Sequence, residues 1–262
     1  SGVFANANAG TGKTVTITSS YSGADVSNYN ITDQTSTTAN ISAKALTATA
    51  SASNKVYDGS SAATSTLTLS GFVGSETVTS TNSSTFNNKN AGTGKTVTVN
   101  SITLADGTNG GLASNYSIST GQTTTANVTA KALTVSGISA SNKVYDSTTN
   151  ATITLSFSGL IGSETINNTN TSTFDNKNIG TGKTVTVNSL TLVDGSNGGL
   201  ASNYSISSGQ TTTANVSARP LTVSNISASN KSYDGTTAVT LDTSNVSYNC
   251  LLYTSDAADD DH

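Results

Sequence analysis

Two short motifs recur along this 262-residue chain, and both carry residue types that could do chemistry. The first is Lys-x-Tyr-Asp, at Lys55-Val56-Tyr57-Asp58, Lys143-Val144-Tyr145-Asp146 and Lys231-Ser232-Tyr233-Asp234. An ammonium, a ring and a carboxylate this close could form a sugar platform. Tyr57, Tyr145 and Tyr233 would be the stacking faces, and Asp58, Asp146 and Asp234 would accept sugar hydroxyls. The same residues also suit a structural turn, with the ring buried, the carboxylate bonded to its own backbone and the next residue at positive φ. Recurrence in every copy favours the turn, and exposure of the rings is the discriminator. Gly59 and Gly235 give way to Ser147 in one copy, so that position tolerates a Cβ.

The second motif, Gly-Thr-Gly-Lys-Thr, begins at Gly10, Gly92 and Gly180 and invites a nucleotide reading. A phosphate loop needs Gly-x4-Gly-Lys-Thr ahead of a helix, so that backbone amides wrap the phosphates. The position five residues before Gly12, Gly94 and Gly182 is Ala7, Lys89 and Lys177, so the required first glycine is missing each time. Val-Thr-Val or Val-Thr-Ile follows, which reads as a strand. Gly12, Gly94 and Gly182 are therefore expected at positive φ in a turn that delivers a strand.

Other chemistry is sparse. Residues 250–262 break the repeat and resemble a translated sequencing-library adapter, so they are set aside as an artefactual tail. The single Cys (Cys250), the single His (His262) and four of the fifteen acidic residues lie there, leaving eleven acidic and eleven basic residues before it. The formal charge of -4 thus belongs to the tail and implies no nucleic-acid or other strongly charged partner. Without His or Cys, residues 1–249 offer no transition-metal site and no His- or Cys-based nucleophile. No Asp-x-Asp-x-Asp run suits calcium. No catalytic residue, metal or cofactor is expected. A Lys–Asn isopeptide crosslink would need a buried Lys, an Asn and a nearby acid, for which Lys95, Asn115 and Glu76 are candidates. Thr96-Val97-Thr98 resembles an ice-binding rank, but it recurs only once per repeat, and solvent-facing strand Thr is the better reading.

The elements that must position these motifs recur as well. Tyr57, Tyr145 and Tyr233 are 88 residues apart, a period that suits a small domain better than one solenoid coil. Residues 44–130 and 131–218 form complete repeats. Residues 1–43 supply the latter half of an earlier copy, 219–249 the opening third of a later one. The chain opens in mid-repeat without Met, so both ends are expected to be artificial. Apolar residues keep period two, as in Ala151, Ile153, Leu155 and Phe157, which argues for half-buried strands. Val97 and Val99 are followed by Ile102 and Leu104 in shifted phase, predicting a bulge or tight turn near Asn100. About seven short strands per repeat, with turn signals between them, predict an all-β chain of tandem immunoglobulin-like β-sandwiches in an elongated array. The thin core makes one copy only modestly stable, and the lack of linkers predicts stiff, strand-to-strand joins. Asp25 stands four residues before Tyr29, as in the tyrosine corner of such sandwiches. Tyr116 and Tyr204 keep the ring, but inserted residues move the acid to Asp106 and Asp194. The corner is therefore expected to be best formed at Tyr29.

Taken together, these motifs resemble the YDG-type repeat of large bacterial surface proteins, often filamentous-haemagglutinin-like adhesins. The likeness rests on Lys143-Val144-Tyr145-Asp146, on residues 174–183, on Asn203-Tyr204 and on Thr212-Thr213-Ala214-Asn215-Val216. It implies an extracellular or outer-membrane location and a structural stalk of a secreted or cell-surface adhesin. The implied partners are neighbouring repeats of the chain, with host or matrix glycans met by tip domains elsewhere. No apolar run could span a membrane. The alternative is that each repeat is itself a weak carbohydrate- or matrix-binding module acting by avidity.

Overall fold

The computed structural model describes residues 1–249, so the adapter-like segment lies outside the described residues. The described residues are all-β, with three single-turn 3-10 helices and no α-helix. None of their helices is long and apolar enough to cross a membrane. The chain divides into two compact units, one ending at Lys131 and one starting at Ala132.

In the first unit, β1 (Gly2–Phe4), β2 (Gly10–Ile17) and β3 (Ser36–Ile41) form an antiparallel three-stranded sheet. Two residues later the complete repeat opens with β4 (Lys44–Ala45), β5 (Thr47–Ala52), β6 (Lys55–Val56), β7 (Ala62–Ala63) and β8 (Ser65–Ser70). It continues through β9 (Val78–Phe86), β10 (Gly92–Asp106), the 3-10 turn Ala113–Asn115, β11 (Tyr116–Ser117) and β12 (Thr123–Thr129). The main sheet has the order β6-β12-β10-β9-β7, with β6 parallel to β12. Strands β5 and β8 form an antiparallel pair, and β4 pairs in parallel with β11.

The pattern of β10 explains its course. Lys95, Val97 and Val99 are buried, then Ile102 and Leu104 turn inward instead. The phase changes because the β9 register skips Asn100, between Val99 and Ser101. This bulge carries one 15-residue strand through a point where the alternation alone also allowed a turn. The expected seven short strands are thus nine, with a long β9–β10 hairpin among them. Val97 and Val99 are fully buried, each worth about 1.5–3 kcal/mol by the usual area scale. Strand β9 is almost entirely Ser, Thr and Asn, yet it buries Val78, Ser84 and Phe86. Ser65 Oγ meets Ser84 Oγ at 2.6 Å and Asn82 Oδ1 at 2.7 Å, so this polar face satisfies itself.

The pattern recurs from β13 (Lys131–Ala132), which spans the division, through β14 (Thr134–Ala140), β15 (Lys143–Val144), β16 (Ile153–Ser158), β17 (Ile166–Phe174), β18 (Gly180–Asp194), β19 (Tyr204–Ser205) and β20 (Thr211–Ser217). Its main sheet has the order β15-β20-β18-β17, and β14 pairs with β16. Ile153 of β16 packs in one core with Phe174, Val185, Val187, Ala214 and Val216 of the main sheet. The closing segment has four short strands, β21 (Thr222–Ser224), β22 (Ser227–Ala228), β23 (Leu241–Asp242) and β24 (Ser247–Asn249), with exposed side chains throughout most of it.

Solvent-facing strand positions are joined by hydroxyl pairs in place of ion pairs. Thr47–Ser70, Ser51–Thr66 and Ser83–Ser101 meet at 2.6–2.7 Å in the first repeat. Thr134–Ser158, Ser139–Thr154 and Thr171–Ser189 meet at 2.5–2.6 Å in the second. Cross-strand contacts of this kind add a few tenths to one kcal/mol each, about as much as opposite charges would.

Candidate functional site

The Lys-x-Tyr-Asp motif forms a closed turn. Strand β6 pairs beside Val128 and Thr129, and Tyr57 N–H donates to Thr129 O at 2.8 Å. This fixes the backbone so that Tyr57 points into the core, where it is 1 % exposed. Lys55 Nζ donates to Asp58 Oδ1 at 2.8 Å, to Ser60 O at 2.7 Å and to Ala62 O at 3.0 Å. An ammonium has three protons, so these bonds saturate it. Its charge also lies over the Phe86 ring, 5.6 Å from the centroid. Asp58 Oδ1 accepts in addition from Ser60 N at 2.9 Å, closing an Asx turn with Gly59 at φ 78°.

The second copy keeps this geometry. Lys143 Nζ reaches Asp146 Oδ1 at 2.8 Å, Thr148 O at 2.8 Å and Asn150 O at 3.0 Å. The Lys143 bond, the Thr148 backbone N–H and the Thr148 hydroxyl hold the Asp146 carboxyl at about 2, against the opposing effect of desolvation. Ser147 takes φ 63° where the other copies have Gly. Tyr145 is half-buried against the core of its repeat. In the third copy Lys231 bonds Asp234 Oδ1 and Thr236 O, each at 2.9 Å, and Gly235 has φ 74°. Tyr233, however, is 98 % exposed.

The Gly-Thr-Gly-Lys-Thr motif forms a bulge at the start of β2, β10 and β18. Gly12, Gly94 and Gly182 sit at φ 58°, 59° and 59°, where a Cβ would be strained. The β10–β12 register shifts between Gly92 and Lys95, and the freed Gly94 N–H is taken by Asn127 Oδ1 at 2.8 Å. Asn40 and Asn215 do the same for Gly12 and Gly182. The bulge aims the lysine inward, away from any phosphate. Lys95 and Lys183 are 9 % exposed. The Lys95 ammonium is held by Asn88 Oδ1 and Asn90 O of the loop before β10. Lys183 bonds Asn176 Oδ1 and, at 3.1 Å, Asp175. Burial, with the nearby Lys55 charge, lowers the Lys95 pKa.

The tyrosine corner is reversed from the expected order. Tyr29 is 72 % exposed, and the Asp25 side chain caps nothing. Tyr116 and Tyr204 are buried instead. Tyr116 Oη accepts from Val73 N–H at 3.0 Å and donates to Glu76 Oε2 at 2.6 Å. Tyr204 makes the same bonds to Ile161 N and Glu164 Oε2, at 3.0 and 2.6 Å. The Glu76 bond raises the Tyr116 pKa. Residues 1–43 hold no counterpart of the Val73–Glu76 loop on which Tyr116 closes. The displaced acids serve elsewhere. Asp106 and Asp194 accept from Ala113 N and Ala201 N, both at 2.7 Å, and set the 3-10 turns before the tyrosines.

The inserted glycines between these acids and the tyrosines are required sterically. A Cβ on Gly107 or Gly111 would stand 2.1 or 1.9 Å from Thr77 O, because this loop wraps the Thr77 backbone. The crosslink candidates do not share one site: Lys95 is held by Asn88, Glu76 by Tyr116, and Asn115 bonds Ala9 N and Asn8 Oδ1. Among the described residues, no three His, Cys, Asp or Glu side chains gather as a metal site. The glutamate–tyrosine pairs and the bulge-capping asparagines had no single-copy signal. Their trace in the sequence is constancy of spacing, since Glu precedes Tyr by 40 residues in both complete repeats.

Two stretches, residues 42–126 and 129–214, match the YDG domain family. No curated protein and no solved structure matches the chain.

Proposed function

We propose, because this chain belongs to the YDG domain family and carries its domain twice in tandem, that the repeats are non-catalytic spacers in the stalk of a bacterial surface or secreted adhesin. In this reading each repeat packs as a small immunoglobulin-like β-sandwich. Length and copy number are the functional quantities, and adhesive chemistry belongs to domains outside this segment. Glycans or matrix would be met there, and these repeats would touch chiefly one another.

One observation carries the proposal: the groups that could bind a ligand are spent on the fold. Lys55 and Lys143 are saturated by their own turns, Tyr57 is buried, and Lys95 and Lys183 of the Gly-Thr-Gly-Lys motifs are turned inward. On the solvent-facing sides of the paired strands, six pairs of Ser and Thr hydroxyls already satisfy one another.

The alternative, weak multivalent glycan binding, draws on the half-buried ring of Tyr145. Small-angle scattering of the full chain beside a glycan array separates the two. An extended particle inert to sugars is expected. A compact particle that binds glycans through Tyr145 would replace the spacer reading.

A further inference from the structure

We propose that Asn115 and the asparagine-rich loop at residues 6–9 form a latch between successive repeats, organised by the lysine of the Gly-Thr-Gly-Lys motif. Ala9 N–H donates to Asn115 Oδ1 at 2.8 Å, and Asn115 Nδ2 donates to Asn8 Oδ1 at 3.1 Å. Both bonds join residues more than 100 positions apart, across the junction of the leading partial repeat with the complete one. The loop offers one donor and one acceptor side by side. A carboxamide supplies the matching acceptor and donor from one side chain.

Each half of the latch is prepared within its own repeat. On the loop side, Lys13 holds both Asn6 Oδ1 and Asn8 O, and Asn8 N–H donates to Asn6 Oδ1 at 3.1 Å. Lys13 faces inward because Gly12 takes φ 58° and passes its N–H to Asn40. On the other side, Asn115 ends the 3-10 turn that Asp106 starts, immediately before Tyr116, whose hydroxyl is fixed by Val73 and Glu76. The contact therefore costs little ordering when it forms. It borders a cavity of about 260 Å³ lined from both sides, including Ala7, Ile41, Lys44 and Tyr116. The loop elements recur in the sequence, as Asn88, Asn90, Ala91 and Lys95 in one complete repeat and Asn176, Asn178 and Lys183 in the other.

The latch gives the spacer reading a means of stiffness and rests on that reading for its purpose, though not for its existence. Amide hydrogen exchange on the full chain tests it. In Asn115→Ala the Ala9 amide should exchange at least tenfold faster. Gly12, bonded to Asn40 inside its own repeat, and Val99, bonded to Gln122 O, should keep their protection. If Val99 also loses protection, the repeat itself has opened. Lys13→Met, which lies outside the complete repeat, then decides the matter: faster exchange at Ala9 with Val99 protected supports the latch. An Ala9 amide unaffected by either variant overturns it. The spacer proposal would survive that result, since scattering and the glycan array judge it separately.

Discussion

The turns around Tyr57 and Tyr233 are the same local object in two surroundings. Each has a lysine bonded to an aspartate three residues on and to the backbone beyond, with a glycine at φ near 75°. Yet Tyr57 is 1 % exposed and Tyr233 98 %. The difference lies in strands that come later in the chain. Tyr57 is covered by the sheet containing β9, β10 and β12, and residues 219–249 include no counterpart of those strands. The turn is thus self-sufficient, closed by contacts within eight residues. Burial of its ring is a property of the whole repeat.

The largest effect should come from the rings. Tyr57→Ala is expected to cost its repeat about 3–5 kcal/mol, as for other large-to-small core changes. Tyr233→Ala should stay within about 0.5 kcal/mol. Urea unfolding monitored separately for each region checks this, and equal losses would erase the distinction between the two turns. Next comes the other tyrosine pair. Tyr116→Phe leaves Val73 N–H and Glu76 without their shared partner, a loss of about 1–3 kcal/mol, whereas Tyr29→Phe should be silent. A stability change at Tyr29 matching that at Tyr116 would mean that the corner forms in the partial repeat as well.

A smaller effect is expected at the third turn position. Ser147 has the left-handed backbone that Gly59 and Gly235 adopt without strain. Ser147→Gly relieves that strain but adds freedom to the unfolded chain, for a net gain of about 0.5 kcal/mol in the second repeat. Thermal melting should show a rise of about 2–4 °C; a lower midpoint would show that the serine side chain supports the turn.

The smallest effect concerns acid. Lys143 and the Thr148 groups hold Asp146 at about 2, and Lys231 with Thr236 lowers Asp234 likewise. The unfolded carboxyl titrates near 3.8. Because the folded pKa is the lower one, the turn's contribution is complete above about pH 4 and disappears as the pH falls through about 2. Carboxyl NMR titration should find both groups below the ordinary Asp value. A normal Asp234 beside a depressed Asp146 would show that the turn needs its sheet after all.

Much of the strand layout was legible because it depends on alternation. Val97 and Val99 reading inward, with a phase change before Ile102, pointed to a bulge or tight turn near Asn100, and the structure has the bulge there. The motif glycines announced positive φ because they precede a strand without the first glycine of a phosphate loop. Strand β9 was not legible, since its buried positions include Ser84 and its neighbours are Asn, Ser and Thr. Their burial is tolerable only because partners arrive from other strands, such as Ser65 for Ser84. The tyrosine corner misled for a similar reason. Its local cue, an acid four residues before Tyr29, is intact, while the decisive partners of Tyr116 lie 40 and 43 residues upstream.

By itself the sequence determined the repeat, its all-β character and the turns whose hydrogen bonds close within a few residues, because these depend on spacing and backbone preference alone. Only the tertiary structure decided which rings are covered, which way the lysines point and which acid meets which tyrosine. Those outcomes depend on free energy released when strands distant in sequence come together, and no short motif contains both sides of such a contact.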